Sequence, residues 1–103
     1  MKDLMQDIER WIAEGKRVAV ATVVDVEGSA PRPKGAKMVV TDSGEFAGSV
    51  SGGCVEGAVI EEAQEVLKTG RPKLVYYGIP DEFGLSVGLA CGGTIGVYIE
   101  ELR

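Results

Sequence analysis

Histidine is absent from this 103-residue chain and cysteine occurs only twice. Without histidine there is no Ser-His-Asp or Cys-His catalysis within the chain, and no histidine-containing zinc or non-haem iron site. Chemistry must rest on Cys, Asp, Glu, Lys, Arg, Tyr or the backbone. Long apolar runs are also missing: the longest, residues 18–24 with Thr22 inside it, falls far short of the roughly 20 residues that span a bilayer. Met1, Lys2 and Asp3 precede a segment carrying Asp7, Glu9 and Arg10 in place of the apolar core of a secretory signal. Basic residues are outnumbered, 11 against 16 acids, for a net charge of -5 and a pI near 4.7. That balance argues against general nucleic-acid binding, which needs an extended Lys/Arg patch. Two cysteines in no CxxC pair fit reduced thiols better than a disulfide framework. The expectation is a cytoplasmic protein that engages neither membrane nor nucleic acid.

Glycine is the surplus, 15 residues, about twice what average composition supplies. A chain of this length forms one domain able to bury its own core. Leu4, Ile8, Trp11 and Ile12 recur at helical spacing and Gly15 stands where a C-terminal cap belongs, which predicts a short amphipathic helix anchored by Trp11. Residues 18–24 are mostly β-branched and apolar, the pattern of a central strand covered on both faces. Two prolines and two glycines within residues 27–35 predict an ordered but irregular loop. Residues 36–41 and 45–50 read as strands of a hairpin turning at Asp42-Ser43-Gly44. From Gly53 a helical pattern sets Val55, Ala58, Val59, Ala63, Val66 and Leu67 on one face, ending at Gly70 and Pro72. Residues 73–77 and 94–100 read as further strands, the last with Ile95, Val97 and Ile99 alternating to one face, and residues 78–90 as a long loop. The whole predicts a single two-layer α+β domain over residues 1–103, a mixed β-sheet of about five strands with two main helices.

Cys54 is expected in the first turn of the second helix, where unpaired N–H groups and the helix dipole lower a thiol's pKa and attract anions. Gly52 and Gly53 before it permit close backbone approach to a phosphate. The same residues also suit a buried thiol beside a tight turn, and Glu56 reads as dipole compensation that opposes a thiolate. Cys91, followed by Gly92 and Gly93, stands where the backbone is open to close approach by a ligand, or is likewise a packed thiol beside a bulge or turn. With no third sulfur a closed zinc site is disfavoured, while a soft metal with an exogenous ligand, or a thiol reacting with sulfur, stays open. Arg32, Lys34 and Lys37 gather positive charge on or beside the proline-stiffened loop. They suit a small polyanion, with Arg32 able to grip phosphate bidentately, or equally a solvated basic loop. Ser29, Ser49 and Ser51 can donate to phosphate oxygens but lack a histidine base to act as nucleophiles. P-loop and dinucleotide fingerprints fail. Tyr76, Tyr77 and Tyr98 read as packing residues on strands.

Three blocks stand in order: Gly28-Ser29-Ala30-Pro31-Arg32-Pro33-Lys34-Gly35-Ala36-Lys37-Met38, then Gly48-Ser49-Val50-Ser51-Gly52-Gly53-Cys54-Val55-Glu56, then Leu89-Ala90-Cys91-Gly92-Gly93. Together they strongly resemble the N-terminal domain of the XdhC/CoxI family, maturation factors for molybdenum hydroxylases such as xanthine dehydrogenase and carbon monoxide dehydrogenase. The resemblance covers nearly the whole chain. It implies a protein that binds molybdenum cofactor (molybdopterin), assists its sulfuration and delivers it to the hydroxylase apo-enzyme. The cofactor's pterin carries a phosphate or, in its dinucleotide form, a pyrophosphate-linked nucleotide, and its dithiolene holds a metal that favours soft ligands. On this reading Ser29, Arg32, Lys34, Lys37, Ser51, Gly52, Gly53, Cys54, Cys91, Gly92 and Gly93 bind the cofactor. Cys54 and Cys91 are, as a hypothesis, the residues that meet molybdenum or its sulfur.

Many members of that family continue into a C-terminal Rossmann domain, and this sequence stops at Arg103, so the resemblance is to the first domain alone. A cysteine desulfurase, a Rossmann-domain partner and a second copy of the chain are further partners that it admits. Three classes of function follow. The leading one is a non-catalytic chaperone that holds and delivers the cofactor. The second is a thiol-dependent sulfur-transfer or redox enzyme acting on the cofactor with a dinucleotide-binding partner. The third is a structural interaction protein without ligand.

Overall fold

The computed structural model describes residues 2–28, 33–51, 55–78 and 93–102, with side chains from Leu4 onward. In chain order these form α1 (Lys2–Ala13), β1 (Val18–Glu27), β2 (Lys37–Thr41), β3 (Phe46–Gly48), α2 (Glu56–Thr69), β4 (Lys73–Gly78) and β5 (Thr94–Glu101). The five strands make one sheet in the order β3-β2-β1-β5-β4. The central place of β1 is the one its nearly continuous apolar run predicts.

Strand alternation sends successive side chains of β1 to opposite faces, and both faces are covered. Val18 and Val20, with Val39 of β2, pack against Leu4, Ile8 and Trp11 of α1. Ala19, Ala21 and Val23 join Met38, Val40, Ile95, Val97 and Ile99 beneath Val59, Ala63, Val66 and Leu67 of α2. The small Ala19 and Ala21 leave room for α2 to approach the sheet, and each fully buried Val or Leu contributes about 1.5–3 kcal/mol. The two-layer expectation is therefore corrected. The helices lie on opposite faces, with α1 packed on β1, β2 and β3, and α2 on β2, β1 and β5.

The expected mixed sheet is likewise corrected, because every strand pairing among the described residues is antiparallel. The strand–helix–strand run β3-α2-β4 does return β4 in the same direction as β3. However, α2 carries the chain across the face of the sheet to its far edge, so the two never become neighbours. Ile12, placed by the sequence on the buried stripe of α1, is 53% exposed. Leu4, Ile8 and Trp11 complete that stripe, and Ile12 falls a further 100° around the helix. The helix α2 begins at Glu56, later than the Gly53 expected from the pattern.

The hairpin of β2 and β3 forms as the turn composition predicts, but β3 ends at Gly48, short of residue 50. Gly48 has φ +86°, and a Cβ there would lie 2.5 Å from the Lys37 carbonyl oxygen and 3.2 Å from Leu4 Cδ1. Glycine thus ends the strand and lets β2 and α1 close on it. Gly48→Ala is expected to lower stability by about 1–3 kcal/mol in urea unfolding; an unchanged midpoint would mean that the backbone there relaxes freely.

Candidate functional site

Antiparallel order places the C-terminal ends of β1, β3 and β4 and the N-terminal ends of β2 and β5 at one pole of the sheet. These ends flank all three sequence blocks. A Cβ on Gly28, just after β1 with φ +76°, would lie 3.2 Å from the Cα of Gly93, just before β5. The first and third blocks therefore touch through two glycines. The second block meets the first where Met38 pairs with Gly48.

A cleft of about 630 Å³ opens at this pole, between the residues leading into β2, the end of β3 and α1. Lys34, Gly35 and Lys37 line one side, Gly48 and Ser49 another, and Leu4 and Asp7 of α1 a third. Lys34 is exposed. Lys37 is half-buried, and its Nζ donates to Thr22 Oγ1 at 3.1 Å, a neutral partner. Among the described residues neither lysine is paired with a carboxylate. Asp7, the acid in the cleft, is 3.2 Å from Arg10. Among the described residues the cleft thus presents two cations without a carboxylate partner, in a chain of net charge -5, the electrostatic condition for holding a small anion.

Glu56 organises the segment beyond β3. Its carboxylate accepts from Ser49 Oγ at 2.7 Å, from the Val50 and Ser51 N–H groups at 3.0 and 2.9 Å, and from the Ser51 hydroxyl. The Ser51 hydroxyl oxygen also accepts from the Val55 N–H at 2.9 Å. Ser51 and Val55, the described residues on either side of positions 52–54, are thereby joined. Burial alone would raise the Glu56 pKa, but the hydrogen bonds from Ser51, Ser49 and the Ser51 and Val50 backbone outweigh it and hold the group at about 2. To the dipole compensation that the sequence suggests for Glu56, which stands in the first turn of α2, the structure adds this network. Serines five and seven positions before an acid at a helix start are the signal in the sequence for this network.

Of the residues singled out from sequence, Lys34 and Lys37 share the cleft, and Gly93 contacts Gly28 at the same pole. Ser51 is fully buried with its hydroxyl held between Glu56 and Val55. Ser29, Arg32, Gly52, Gly53, Cys54, Cys91 and Gly92 lie outside the described residues. The same holds for the loop expected over most of residues 78–90. The described residues contain no cluster of three or more His, Cys, Asp or Glu arranged to hold a metal. No helix among them is long and apolar enough to cross a membrane. Of the tyrosines read as packing, Tyr77 does pack against the α2 core, and its phenol is raised to about 12 by burial and by the charge of Glu62. Tyr76 instead stands 54% exposed.

With this fold and cleft in place, comparison with known proteins defines the class. The model of the XdhC and CoxI family matches residues 11–78, and the chain belongs to that family. It is 40% identical over 92 residues to the molybdenum cofactor insertion chaperone PaoD of Escherichia coli, an alignment covering 89% of this chain and 29% of PaoD. It is 33% identical over 97 residues to a protein of Bacillus subtilis named as a probable xanthine dehydrogenase component, covering 92% and 29%. A crystal structure of a xanthine dehydrogenase from Bacillus halodurans superimposes with a TM-score of 0.76 at 34% identity, covering 95% of this chain and 30% of that one. The chain spans under a third of the length of these relatives.

The Glu56 network has a pH signature. Its folded-state pKa lies below the usual 4.5, so the stability it contributes is complete above about pH 4.5 and is lost as pH falls toward 2. Glu56→Gln is expected to cost about 1–3 kcal/mol at pH 7 and to flatten the stability profile between pH 4.5 and 2. Wild-type and variant urea midpoints that run parallel through that window would count against the role given to this carboxylate.

Proposed function

We propose that this chain holds molybdenum cofactor for delivery to a molybdenum hydroxylase apo-enzyme, with the anionic end of the cofactor seated in the cleft beside Lys34 and Lys37. The observation that carries this reading is the pair of lysines without carboxylate partners among the described residues, placed in a cleft of about 630 Å³ at the pole where the three family blocks meet. Family membership and 40% identity to a cofactor insertion chaperone support it. The cofactor is cargo here, so the protein must grip it and release it without turning it over. A lysine ammonium suits that task, because it binds phosphate as a point charge without the bidentate fork of arginine. Phosphate and pyrophosphate-linked forms of the pterin both fit this chemistry. Arg32 and Ser29 would add donors to the anion. Cys54 and Cys91 would meet the soft end, as ligands to molybdenum or its sulfur. Xanthine dehydrogenase and carbon monoxide dehydrogenase represent the class of client enzyme.

Anaerobic purification after supply of the cofactor, followed by molybdenum and pterin analysis, tests the reading. Wild-type protein is expected to retain both. The double variant Lys34→Ala/Lys37→Ala is expected to retain at least tenfold less, since charge-assisted hydrogen bonds contribute about 1.5–3 kcal/mol each. Wild-type protein that emerges free of molybdenum and pterin, or a double variant that retains them fully, would sink it.

A further inference from the structure

The face of the sheet that carries α1 continues, beyond β1, into a surface with features of its own. The register of β1 against β5 pairs Thr22 with Tyr98, Val23 with Val97 and then Asp25 with Gly96, so Val24 is an extra residue, a β-bulge. Thr22 and Asp25 are three residues apart and would point to opposite faces of a regular strand. The bulge restores Asp25 to the face of Thr22. Two long side chains converge on that stretch of β1 from opposite sides. Lys37 reaches from β2 to place its Nζ 3.1 Å from Thr22 Oγ1. Tyr76 reaches from β4, across β5, to donate its hydroxyl to Asp25 Oδ2 at 3.3 Å.

The strand between Tyr76 and Asp25 carries glycine at the crossing point. A Cβ on Gly96 would come within 2.8 Å and 3.0 Å of Tyr76 Cε2 and Cζ, so the ring lies directly on the backbone of β5. One side of the ring is covered by the sheet and its end is held by Asp25, yet the residue is 54% exposed. The charge of Asp25, with smaller contributions from burial and the hydrogen bond, raises the Tyr76 phenol above its ordinary value, so the hydroxyl remains a donor at neutral pH. On this same face α1 packs on β1, β2 and β3, toward the edge of the sheet away from Tyr76.

We propose that the open face of Tyr76 is the seat for the planar heteroaromatic ring of the same ligand whose anionic group meets Lys34 and Lys37. The inference rests on the cleft reading above and adds a second contact point to it. The bulge sets Thr22 and Asp25 opposite Tyr98 and Gly96, two positions apart on β5, so at about 3.3 Å per strand residue the lysine and tyrosine tips lie roughly 7 Å apart along the strand, within reach of one compact phosphorylated fused-ring compound. On the cofactor reading above, the ligand is a phosphorylated pterin, with its ring on Tyr76 and its phosphate over Lys37. A tyrosine that merely covers a strand glycine would show no ligand dependence, and this is the contrast the experiment uses.

Three probes separate the two contact points: neopterin monophosphate carries ring and anion, neopterin the ring alone, and inorganic pyrophosphate the anion alone. Binding to the folded 103-residue chain is measured by calorimetry or by the anisotropy of pterin fluorescence, with circular dichroism to check each variant. Wild-type protein is expected to bind neopterin monophosphate more tightly than either partial probe. Tyr76→Leu, which keeps an apolar cover on Gly96, is expected to weaken neopterin monophosphate about tenfold, the scale of one ring-stacking contact, and to leave pyrophosphate unchanged. Tyr76→Phe is expected to retain most of the ring affinity. Equal affinity of Tyr76→Leu and wild type for neopterin monophosphate, or wild-type preference for neither ring-bearing probe over pyrophosphate, would overturn the ring seat. Loss of ring affinity in Tyr76→Leu alongside pyrophosphate binding that ignores Lys34→Ala/Lys37→Ala would overturn the anion seat and uphold the ring seat.

Discussion

The alternation of β1 is the constraint on which the rest of this structure depends. Its even and odd residues must satisfy two different helices, so Val18 and Val20 are committed to α1 while Ala19, Ala21 and Val23 are committed to α2. A shift of one residue would exchange the two sets, setting alanines against Trp11 and valines against a helix that needs close approach. Register is therefore strongly fixed up to Val23. Immediately afterwards the pattern breaks at Val24, and the strand resumes beyond it with Val26 against the α2 core as it runs toward the pole that bears the cleft. The irregularity re-aims Asp25 to the face of Tyr76, whose hydroxyl donates to it, while Val26 keeps its place against the α2 core.

A second constraint is the internal anion. Glu56 satisfies two backbone N–H groups and two hydroxyls of the segment after β3 and remains ionised well into the acid range. That segment is thus organised by the chain's own carboxylate and needs no ligand to satisfy those donors. The start of α2 already faces a negative charge, while the uncompensated positive charge of the cleft lies with Lys34 and Lys37. Charges of opposite sign are divided between neighbouring segments of one pole, which directs an anion to the lysine side.

Much of the fold was legible in the sequence because it is written in short-range patterns. The apolar run of β1, the Asp42-Ser43-Gly44 turn, the alternation of Ile95, Val97 and Ile99 and the stripe of α2 all predict elements that form. Strand order is a long-range property, and the expectation of a mixed sheet failed because nothing local says that α2 carries the chain past three strands before β4 begins. The bulge was illegible for a different reason. Val24 continues an apolar run, and only the pairing with β5 reveals that it has no partner. Tyr76 and Tyr77 necessarily point to opposite faces, but which of them a helix covers depended on α1 packing on β1, β2 and β3 and α2 on β2, β1 and β5. Lys34 and Lys37 were legible as a charge cluster; that they share a cleft with the end of β3 required the fold.

At the pole opposite the cleft, the last strand is fastened at its end. Arg17 grips Glu101 through two bonds of 3.0 and 2.8 Å, and the Leu102 N–H donates to the Val18 carbonyl at 2.8 Å. The strand β5 is eight residues long, about 26 Å at strand rise, so this anchor and the cleft sit at opposite ends of a rigid rod. A polypeptide joined there, or a surface to which the chain is tethered there, would leave the cleft facing outward. Attachment at this end and access to the cleft are thereby separated mechanically, because the two lie at opposite poles of the sheet.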